Sequence, residues 1–298
     1  MAWVRAGEDR QQLVDELHGD TSPGSGVACG AMARRTPQEA MRGFLSGENP
    51  GFARSRRLFR RVPSSPRCKL CAAPFEGPGG VVLRHVGFAR YPGNPAICGN
   101  CIKSLNKTGT FGAEIPVSLL FADIRGSTSI GESMTPTEYR AYLDHFYRIA
   151  SEAILGKDGI VDKFVGDEAI GLFFRGISGT QHAAAAVHAA QTLLDAVGRA
   201  DATERGAIPV GAAVHTGEAF VGSTGAEGAV NDFTALGDVV NTTARLASEA
   251  AAGEILISED AAVAAGVEVQ KKPRRAITVR GRSAPVTVFS LASRQPPP

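Results

Sequence analysis

The chain has 298 residues, 43% of them hydrophobic, and a formal net charge of +2 at pH 7. This length and apolar content suffice for one large domain and a smaller one beside it. No apolar run approaches the roughly 18 residues of a membrane helix, and the N-terminus has charges and glycines where a secretory signal would be apolar. These features argue against a membrane helix and against a secretory signal, and we expect a cytoplasmic protein with no membrane partner.

The N-terminal region divides into two segments of different composition. Residues 1–33 are rich in glycine, serine and charged residues, which predicts a disordered arm containing the unpaired Cys29. Residues 34–67 form a basic, helical segment with nine arginines and two glutamates. Thr36-Pro-Gln-Glu39 predicts a helix start with a capping box, and a basic helix is predicted at 52–62. We favour a solvated face for this helix; contact with nucleic acid, anionic lipid or an acidic partner is the alternative.

Four of the five cysteines form two Cys-x-x-Cys pairs, Cys68/Cys71 and Cys98/Cys101, separated by 26 residues. Each short turn can direct two sulfurs at one ion, as in a tetrahedral four-thiolate zinc site. Turn residues around the apolar stretch 81–86 predict a β-hairpin, so we interpret residues 68–102 as a zinc-ribbon-like module stabilised by a structural Zn²⁺. Redox-active dithiols are the alternative.

After a predicted polar linker at 103–114, strands and helices alternate to about residue 292. Strands are predicted at 117–124, 159–164, 169–174, 208–215, 219–222, 254–257, 267–269, 276–279 and 286–291. Helices are predicted at 136–155, 179–200 and 238–250. The β-α-β-β-α-β order at the start of this region predicts an α+β, ferredoxin-like fold, with helices on one face of an antiparallel sheet.

Polar side chains lie at the ends of several predicted elements. Asp123 ends the first strand of this region, and Asp167 lies in the hairpin that neighbours it in this topology. Two carboxylates on adjacent strand ends can bridge two divalent ions, which suits in-line displacement at a phosphate. Asn241 and Arg245 are four residues apart and share a helix face. An arginine there can stabilise charge that develops on a phosphate.

Three stretches contain these side chains: Phe121-Ala-Asp-Ile-Arg-Gly-Ser-Thr128, Lys163-Phe-Val-Gly-Asp-Glu-Ala169 and Leu236-Gly-Asp-Val-Val-Asn-Thr-Thr-Ala-Arg245. With them, residues 115–291 resemble the class III adenylyl and guanylyl cyclases. The resemblance implies a cyclase catalytic domain at 115–292 and a tail at 293–298. It also implies active sites at the interface of a head-to-tail dimer, with the metal-binding acids from one protomer and the nucleotide contacts from the other. Because one chain contains both sets, a homodimer is implied.

The resemblance further implies a role for each matching residue. Asp123, Asp167 and the carbonyl of Ile124 would bind two Mg²⁺ or Mn²⁺ ions. The substrate contacts would come from Lys163 and Thr234 at the purine, Asn241 at the ribose, Arg245 at the reacting phosphate and Arg280 at the triphosphate. Arg282 is close enough to Arg280 in sequence to compete for the last role.

The purine-contacting positions favour ATP. Lys163 suits the N1 acceptor of adenine, whereas guanylyl cyclases usually have an acid there. Many bacterial relatives have threonine at the position of Thr234, where a hydroxyl can accept from the adenine amino group. The implied reaction converts ATP to 3′,5′-cyclic AMP and pyrophosphate by attack of a metal-activated ribose 3′-hydroxyl on the α-phosphate.

Two other interpretations are open. Val165-Gly-Asp-Glu168 is similar to the hairpin of diguanylate cyclases, but Val165 and Ala169 depart from that motif and residues 236–245 have no counterpart there. The second is a zinc-ribbon regulator that binds nucleic acid or protein, with a catalytically silent, nucleotide-sensing cyclase-like domain. We also expect a regulatory partner for the N-terminal region, whose identity the sequence does not indicate.

Overall fold

The computed structural model describes residues 36–48, 50–62, 64, 66–92, 94–107, 112–199, 208–224, 232–279 and 284–292. All of them belong to the compact unit Arg35–Pro298. The predicted arm at 1–33, the tail at 293–298, Cys29, Arg280 and Arg282 lie outside the described residues.

The helices are α1 (Pro37–Leu45), α2 (Pro50–Phe59), α3 (Gly77–Leu83), α4 (Gly99–Lys107), α5 (Ser127–Glu132), α6 (Pro136–Gly156), α7 (Arg175–Ser178), α8 (His182–Arg199), α9 (Asp238–Glu249) and α10 (Glu259–Ala265). The strands are β1 (Arg90–Tyr91), β2 (Asn94–Cys98), β3 (Gly112–Ile124), β4 (Ile160–Val165), β5 (Glu168–Phe174), β6 (Val210–Thr224), β7 (Asp232–Leu236), β8 (Glu254–Ser258), β9 (Arg274–Ile277) and β10 (Val286–Ala292). Within the described residues, no helix is both long and apolar enough to cross a membrane.

The main sheet has eight strands in the order β4-β5-β3-β6-β8-β10-β9, with β7 also paired to β6. Its first four strands, with α6 and α8 as the crossovers, are the βαββαβ unit of the ferredoxin-like fold. The predicted α+β fold class is therefore confirmed. All strand pairs in this sheet are antiparallel except β6 with β8. This parallel pair adds β8 to the edge of the βαββαβ unit.

The sheet is covered on both faces, which differs from the prediction of helices on one face. Leu120 and Ala122 pack with α6 and α8, while Val117, Leu119 and Phe121 face the opposite way. This second face is covered by α9, by α1 and by the four cysteines of the two Cys-x-x-Cys pairs. Residues 68–102, which contain these cysteines and which we call the cysteine-rich segment, are thus part of a hydrophobic core shared with the sheet.

The N-terminal segment confirms one local prediction and corrects two others. Thr36 and Glu39 make the predicted capping box, each side chain accepting from the other's backbone N–H. The hairpin predicted around 81–86 is wrong, because α3 and a π-helical turn at Arg84–Phe88 occupy this region. Pro78 in the first turn of α3 favours that helix start. The predicted linker is in part structured, since α4 continues to Lys107 and β3 begins at Gly112.

Two C-terminal predictions also fail for identifiable reasons. The strands predicted at 208–215 and 219–222 are one continuous strand, β6, in which Gly217 pairs with Val117. A Cβ at Gly217 would lie 3.2 Å from a methyl carbon of Val239, so this glycine makes room for α9 and does not form a turn. The strand predicted at 267–269 is absent. Ser258 instead caps α10, which ends at Gly266 in the left-handed region.

Candidate active site

The C-terminal end of β3 and the turn between β4 and β5 bring three acidic side chains together. Asp123 lies directly opposite Glu168 in the β3–β5 ladder. Asp167 occupies the turn, where its carbonyl accepts a 3.3 Å hydrogen bond from the N–H of Ile124. The carboxyl groups of Asp123 and Asp167 are close enough to share a hydrogen bond. The structure therefore brings together the two side chains predicted to bind divalent ions.

The electrostatics of this cluster favour a cation. Partial burial raises the pKa of Asp123 to about 6, and the hydrogen bond with Asp167 acts in the same direction, against the charge of Arg125. Burial raises the pKa of Glu168 to about 7, with the charges of Asp123 and Asp167 adding to the effect. Carboxylates resist ionisation when they crowd together away from water. A divalent ion among them would reverse this effect and favour their ionised forms.

Arg125 supplies one positive charge to the cluster. Its Nη2 lies 2.5 Å from Oδ2 of Asp123, and its Nη1 donates a 3.0 Å hydrogen bond to the carbonyl of Ser248 in α9. Arg125 therefore connects the end of β3 to the helix that contains Asn241 and Arg245. The sequence analysis assigned no role to Arg125 or to Glu168, although each is within two positions of a predicted metal ligand.

Lys163 and Thr234 meet around a residue that the sequence analysis missed, Asp162. The Thr234 hydroxyl donates a 2.9 Å hydrogen bond to Oδ2 of Asp162, and Nζ of Lys163 lies 3.9 Å from Oδ1. Only 5% of the Asp162 side chain is exposed, against 36% for Lys163. The structure thus groups the two predicted purine contacts and adds a nearly buried carboxylate between them.

The β4–β5 hairpin that bears Lys163 and Asp167 is held against α6. The ring of Tyr147 stacks on Phe164, with centroids 4.2 Å apart, and the Tyr147 hydroxyl donates to the carbonyl of Gly166. Gly166 has a φ of +60°, which the turn requires and glycine adopts at little cost. The β4–β5 register shifts between Val161 and Phe164, and such an irregularity redirects side chains near a site.

Asn241 and Arg245 lie one turn apart on α9, and both are exposed. The guanidinium of Arg245 is 2.7 Å from the carboxylate of Glu249, its neighbour one turn further on. Among the residues that the structure describes, no hydrogen bond or ion pair joins Asn241 or Arg245 to Asp123 or Asp167. They form a second, outward-facing part of the predicted site.

The four cysteines of the two Cys-x-x-Cys pairs form a separate, buried cluster. Their sulfur atoms all lie within 4.8 Å of one another, with Cys68 and Cys101 separated by 3.8 Å and Cys71 and Cys98 by 3.7 Å. A tetrahedral site with Zn–S bonds of about 2.3 Å has S···S edges of roughly 3.8 Å. Hydrogen bonds from the other three thiols, that of Cys101 foremost, lower the pKa of Cys68. The donor set and its spacing fit a four-thiolate metal site.

Comparison with known proteins identifies the family of the larger part of the chain. Residues 113–292 match the family model described as the adenylate and guanylate cyclase catalytic domain. Adenylate cyclase 1 of Rhizobium meliloti is 28% identical over 181 residues, which is 59% of this chain and 27% of that protein. An adenylate cyclase of Anabaena cylindrica is 33% identical over 138 residues, 44% of this chain and 26% of its own. The chain therefore spans about a quarter of the length of these curated relatives.

Solved structures resemble the catalytic region along nearly their whole length. A guanylyl cyclase has a TM-score of 0.56 and 27% identity, covering 61% of this chain and 93% of its own. The adenylyl cyclase CyaB from P. aeruginosa has a TM-score of 0.54 and 27% identity, covering 62% of this chain and 97% of its own. Both nucleotide specificities thus occur among similar structures. Because the family model spans more than half of the residues, the chain belongs to the adenylate and guanylate cyclase catalytic domain family.

Proposed function

We propose that the protein is an adenylyl cyclase, which converts ATP to 3′,5′-cyclic AMP and pyrophosphate. The observation that carries the proposal is the approach of Asp123 and Asp167 at the end of β3, in a domain of the cyclase family. The proximity of these two half-buried carboxylates, which helps to raise the pKa of Asp123, is unfavourable unless a cation lies between them. Divalent ions that bind a phosphate would supply that cation.

In the proposed reaction, the 3′-oxygen of the ribose attacks the α-phosphorus, and the bond to the β-phosphate oxygen breaks to release pyrophosphate. Two Mg²⁺ or Mn²⁺ ions, held by Asp123, Asp167 and the carbonyl of Ile124, would activate the 3′-hydroxyl and neutralise the phosphates. Asn241 orients the ribose so that its 3′-oxygen is in line with the leaving group. Arg245 stabilises the negative charge that grows on the phosphate in the transition state. Arg280 is assigned to the triphosphate.

The contact between Thr234 and Asp162 supports adenine over guanine. A carboxylate only accepts hydrogen bonds, so the single Thr234 proton points towards Asp162. The hydroxyl then offers its lone pairs to the ligand, and they can accept from an exocyclic amine. At C6, beside N1, adenine has an amine, whereas guanine has a carbonyl oxygen that needs a donor and has its amine at C2. Lys163, a donor only, complements the unprotonated N1 of adenine.

We assign the complete site to a homodimer. Asp123 and Asp167 of one protomer would face Lys163, Thr234, Asn241 and Arg245 of its partner, giving two equivalent sites. The exposure of Asn241 and Arg245 supports this arrangement, because a phosphate-binding arginine gains strength when a partner surface excludes water from it.

The proposed activity is tested by supplying the purified protein with Mn²⁺ and either ATP or GTP, and separating the products by chromatography. We expect cyclic AMP and pyrophosphate in equal amounts from ATP, and little turnover of GTP. Cyclic GMP as the main product would keep the reaction class but contradict our reading of Lys163, Thr234 and Asp162. Absence of product from both would favour the silent, nucleotide-sensing interpretation.

We further propose that Cys68, Cys71, Cys98 and Cys101 bind a structural Zn²⁺. All four are buried, and they belong to the hydrophobic cluster beneath β3. Four ligands fill the tetrahedron and leave no open position, which is typical of structural rather than catalytic zinc. All four ligands lie within residues 68–101, so the ion would cross-link this segment, which packs on the sheet through the hydrophobic cluster.

The zinc proposal predicts one zinc per chain by elemental analysis of the purified protein. Cys98→Ser should lose the metal and lower the unfolding midpoint, since a loss of about 3 kcal/mol corresponds to roughly 6–12 °C for a domain of this size. Cys29→Ser is the matched control and should retain both zinc and stability. A zinc-free protein with a reversible disulfide among the four cysteines would instead support the redox interpretation.

A further inference from the structure

A strongly basic cleft lies between α2, the cysteine-rich segment and the end of α6. It consists of two adjoining cavities, of about 540 and 350 Å³, which share Arg56 and Arg60 in their walls. The larger is lined by five basic side chains and one acid, Asp158. The smaller is lined by four arginines and no acid. We call the two cavities together the basic cleft; no residue assigned to the cyclase reaction lines it.

Some of these cations have structural partners. Arg56 crosses to the catalytic domain, where it donates hydrogen bonds of 2.6 Å and 3.3 Å to the carbonyls of Gly176 and Ile177. Arg67 donates a 2.7 Å hydrogen bond to the carbonyl of Phe59. Carbonyl oxygens satisfy the N–H groups of a guanidinium but do not neutralise its charge. These contacts therefore do not neutralise Arg56 and Arg67. Three other cations of the cleft are paired with carboxylates: Lys69 with Asp158, Arg90 with Glu76 and Arg175 with Glu48.

Arg57 and Arg60 are the side chains free to bind a ligand. Both are exposed, and neither makes an ion pair within the part of the chain that the structure describes. Burial lowers the pKa of Arg56 and the nearby charge of Arg60 lowers it further, whereas Asp158, Cys68 and Cys71 act in the opposite direction. Guanidinium groups that repel one another in a shared cavity gain most from an anion between them.

The larger cavity also has an apolar wall. Pro66, Phe75 and Leu155 contribute to it, and the guanidinium of Arg90 lies over the Phe75 ring, 5.2 Å from its centroid. The cleft therefore offers a surface for a ring or hydrocarbon beside a cluster of arginines. Its size is within the roughly 300–1,000 Å³ typical of small-molecule sites.

The walls of the cleft come from both the cysteine-rich segment and the catalytic domain. Lys69 lies between Cys68 and Cys71, and its Nζ contacts Asp158 at 2.8 Å and the carbonyl of Leu155 at 2.7 Å. Asp158 lies two residues before β4, the strand that bears Lys163. A ligand in the cleft would thus bridge the cysteine-rich segment and the catalytic domain.

We propose that the basic cleft binds a phosphate monoester attached to an apolar or aromatic body. The arginines would bind the phosphate oxygens through charge-assisted hydrogen bonds. The apolar wall that includes Phe75 would contact the apolar or aromatic group attached to the phosphate. A free metabolite and an anionic lipid headgroup share this chemistry. A nucleic-acid duplex is too wide to enter a cavity of this volume, so its phosphates could reach only the exposed arginines at the rim.

The test uses the 298-residue chain, loaded with zinc and without added Mg²⁺ or Mn²⁺. It is titrated by calorimetry with phenyl phosphate and, separately, with inorganic phosphate. We expect phenyl phosphate to bind more tightly and to raise the unfolding midpoint, since it binds the folded state alone. Cosedimentation with phosphatidylcholine vesicles containing phosphatidic acid distinguishes the lipid source from the soluble one. Failure of both phenyl phosphate and these vesicles to bind overturns the proposal.

Matched variants locate the binding. The double variant Arg57→Gln, Arg60→Gln should weaken phenyl phosphate binding by about tenfold or more, since it removes two charged donors. Arg54→Gln, Arg61→Gln removes the same charge from the same segment, but neither residue lines the cavities, and binding should persist. An equal loss in both variants would indicate diffuse attraction and overturn the site. Binding of a DNA or RNA duplex without binding of phenyl phosphate would do the same.

Discussion

Replacing Asp123 with asparagine is expected to lower cyclase activity by about 10²–10³-fold or more, the usual cost of removing a charged group that acts on the transition state. Asparagine retains the size of the side chain but loses the negative charge that would hold the divalent ions. The measurement is the initial rate of cyclic AMP formation at saturating Mn²⁺ and ATP. Asp167→Asn should have the same effect, because both carboxylates are assigned to the same ions.

Asp123→Asn should lower the rate of the reaction without lowering the stability of the folded protein. The raised pKa of Asp123 means that its ionisation opposes folding near neutral pH, so a neutral asparagine should leave the unfolding midpoint unchanged or slightly higher. Asp144→Asn is the control, since Asp144 is an exposed carboxylate paired with Arg140 on α6 and such pairs contribute about 0.3–0.5 kcal/mol. Full activity in Asp123→Asn would remove the two-metal assignment.

The ends of the central strands could be predicted from the sequence because the apolar run 117–122 ends where a carboxylate begins. β3 does end at Ile124, and the β4–β5 hairpin turns at Asp167. The same run also contains a signal about burial. Six consecutive apolar or small residues, without alternation, indicate a strand buried on both faces. That pattern could have predicted that a second layer, here α9 and the cysteine-rich segment, covers the sheet.

The contact between Thr234 and Asp162 could not be predicted from the sequence. It requires β7 to pair with β6 at the side of the main sheet and to reach β4, although the residues are 72 positions apart. The local sequence pattern gives no information about a contact between residues so far apart in the chain. The contact also depends on the shifted register of β4, which redirects Asp162 from the alternation that a regular strand would give it.

The central claim is that two copies of the chain complete each active site, with Asp123 from one protomer and Arg245 from its partner. Asp123→Asn and Arg245→Ala should each be inactive alone, because each homodimer lacks one essential group at both sites. Random exchange of equal amounts gives about half heterodimers, and each of these has one intact site, so activity should return to about a quarter of the wild-type value. The control mixes Asp123→Asn with Asp167→Asn. Both substitutions affect the metal-binding half of a site, so each site of the heterodimer still lacks one of the two acids and activity should not return.

The measurement that tests this most directly is cyclic AMP formation after coexpression of differently tagged Asp123→Asn and Arg245→Ala chains and purification through both tags. We predict about half of the wild-type rate for the isolated heterodimer, since one of its two sites is complete. An inactive heterodimer that is verified to contain both chains would contradict the shared site, and with it the assignment of Arg245 to the partner's substrate.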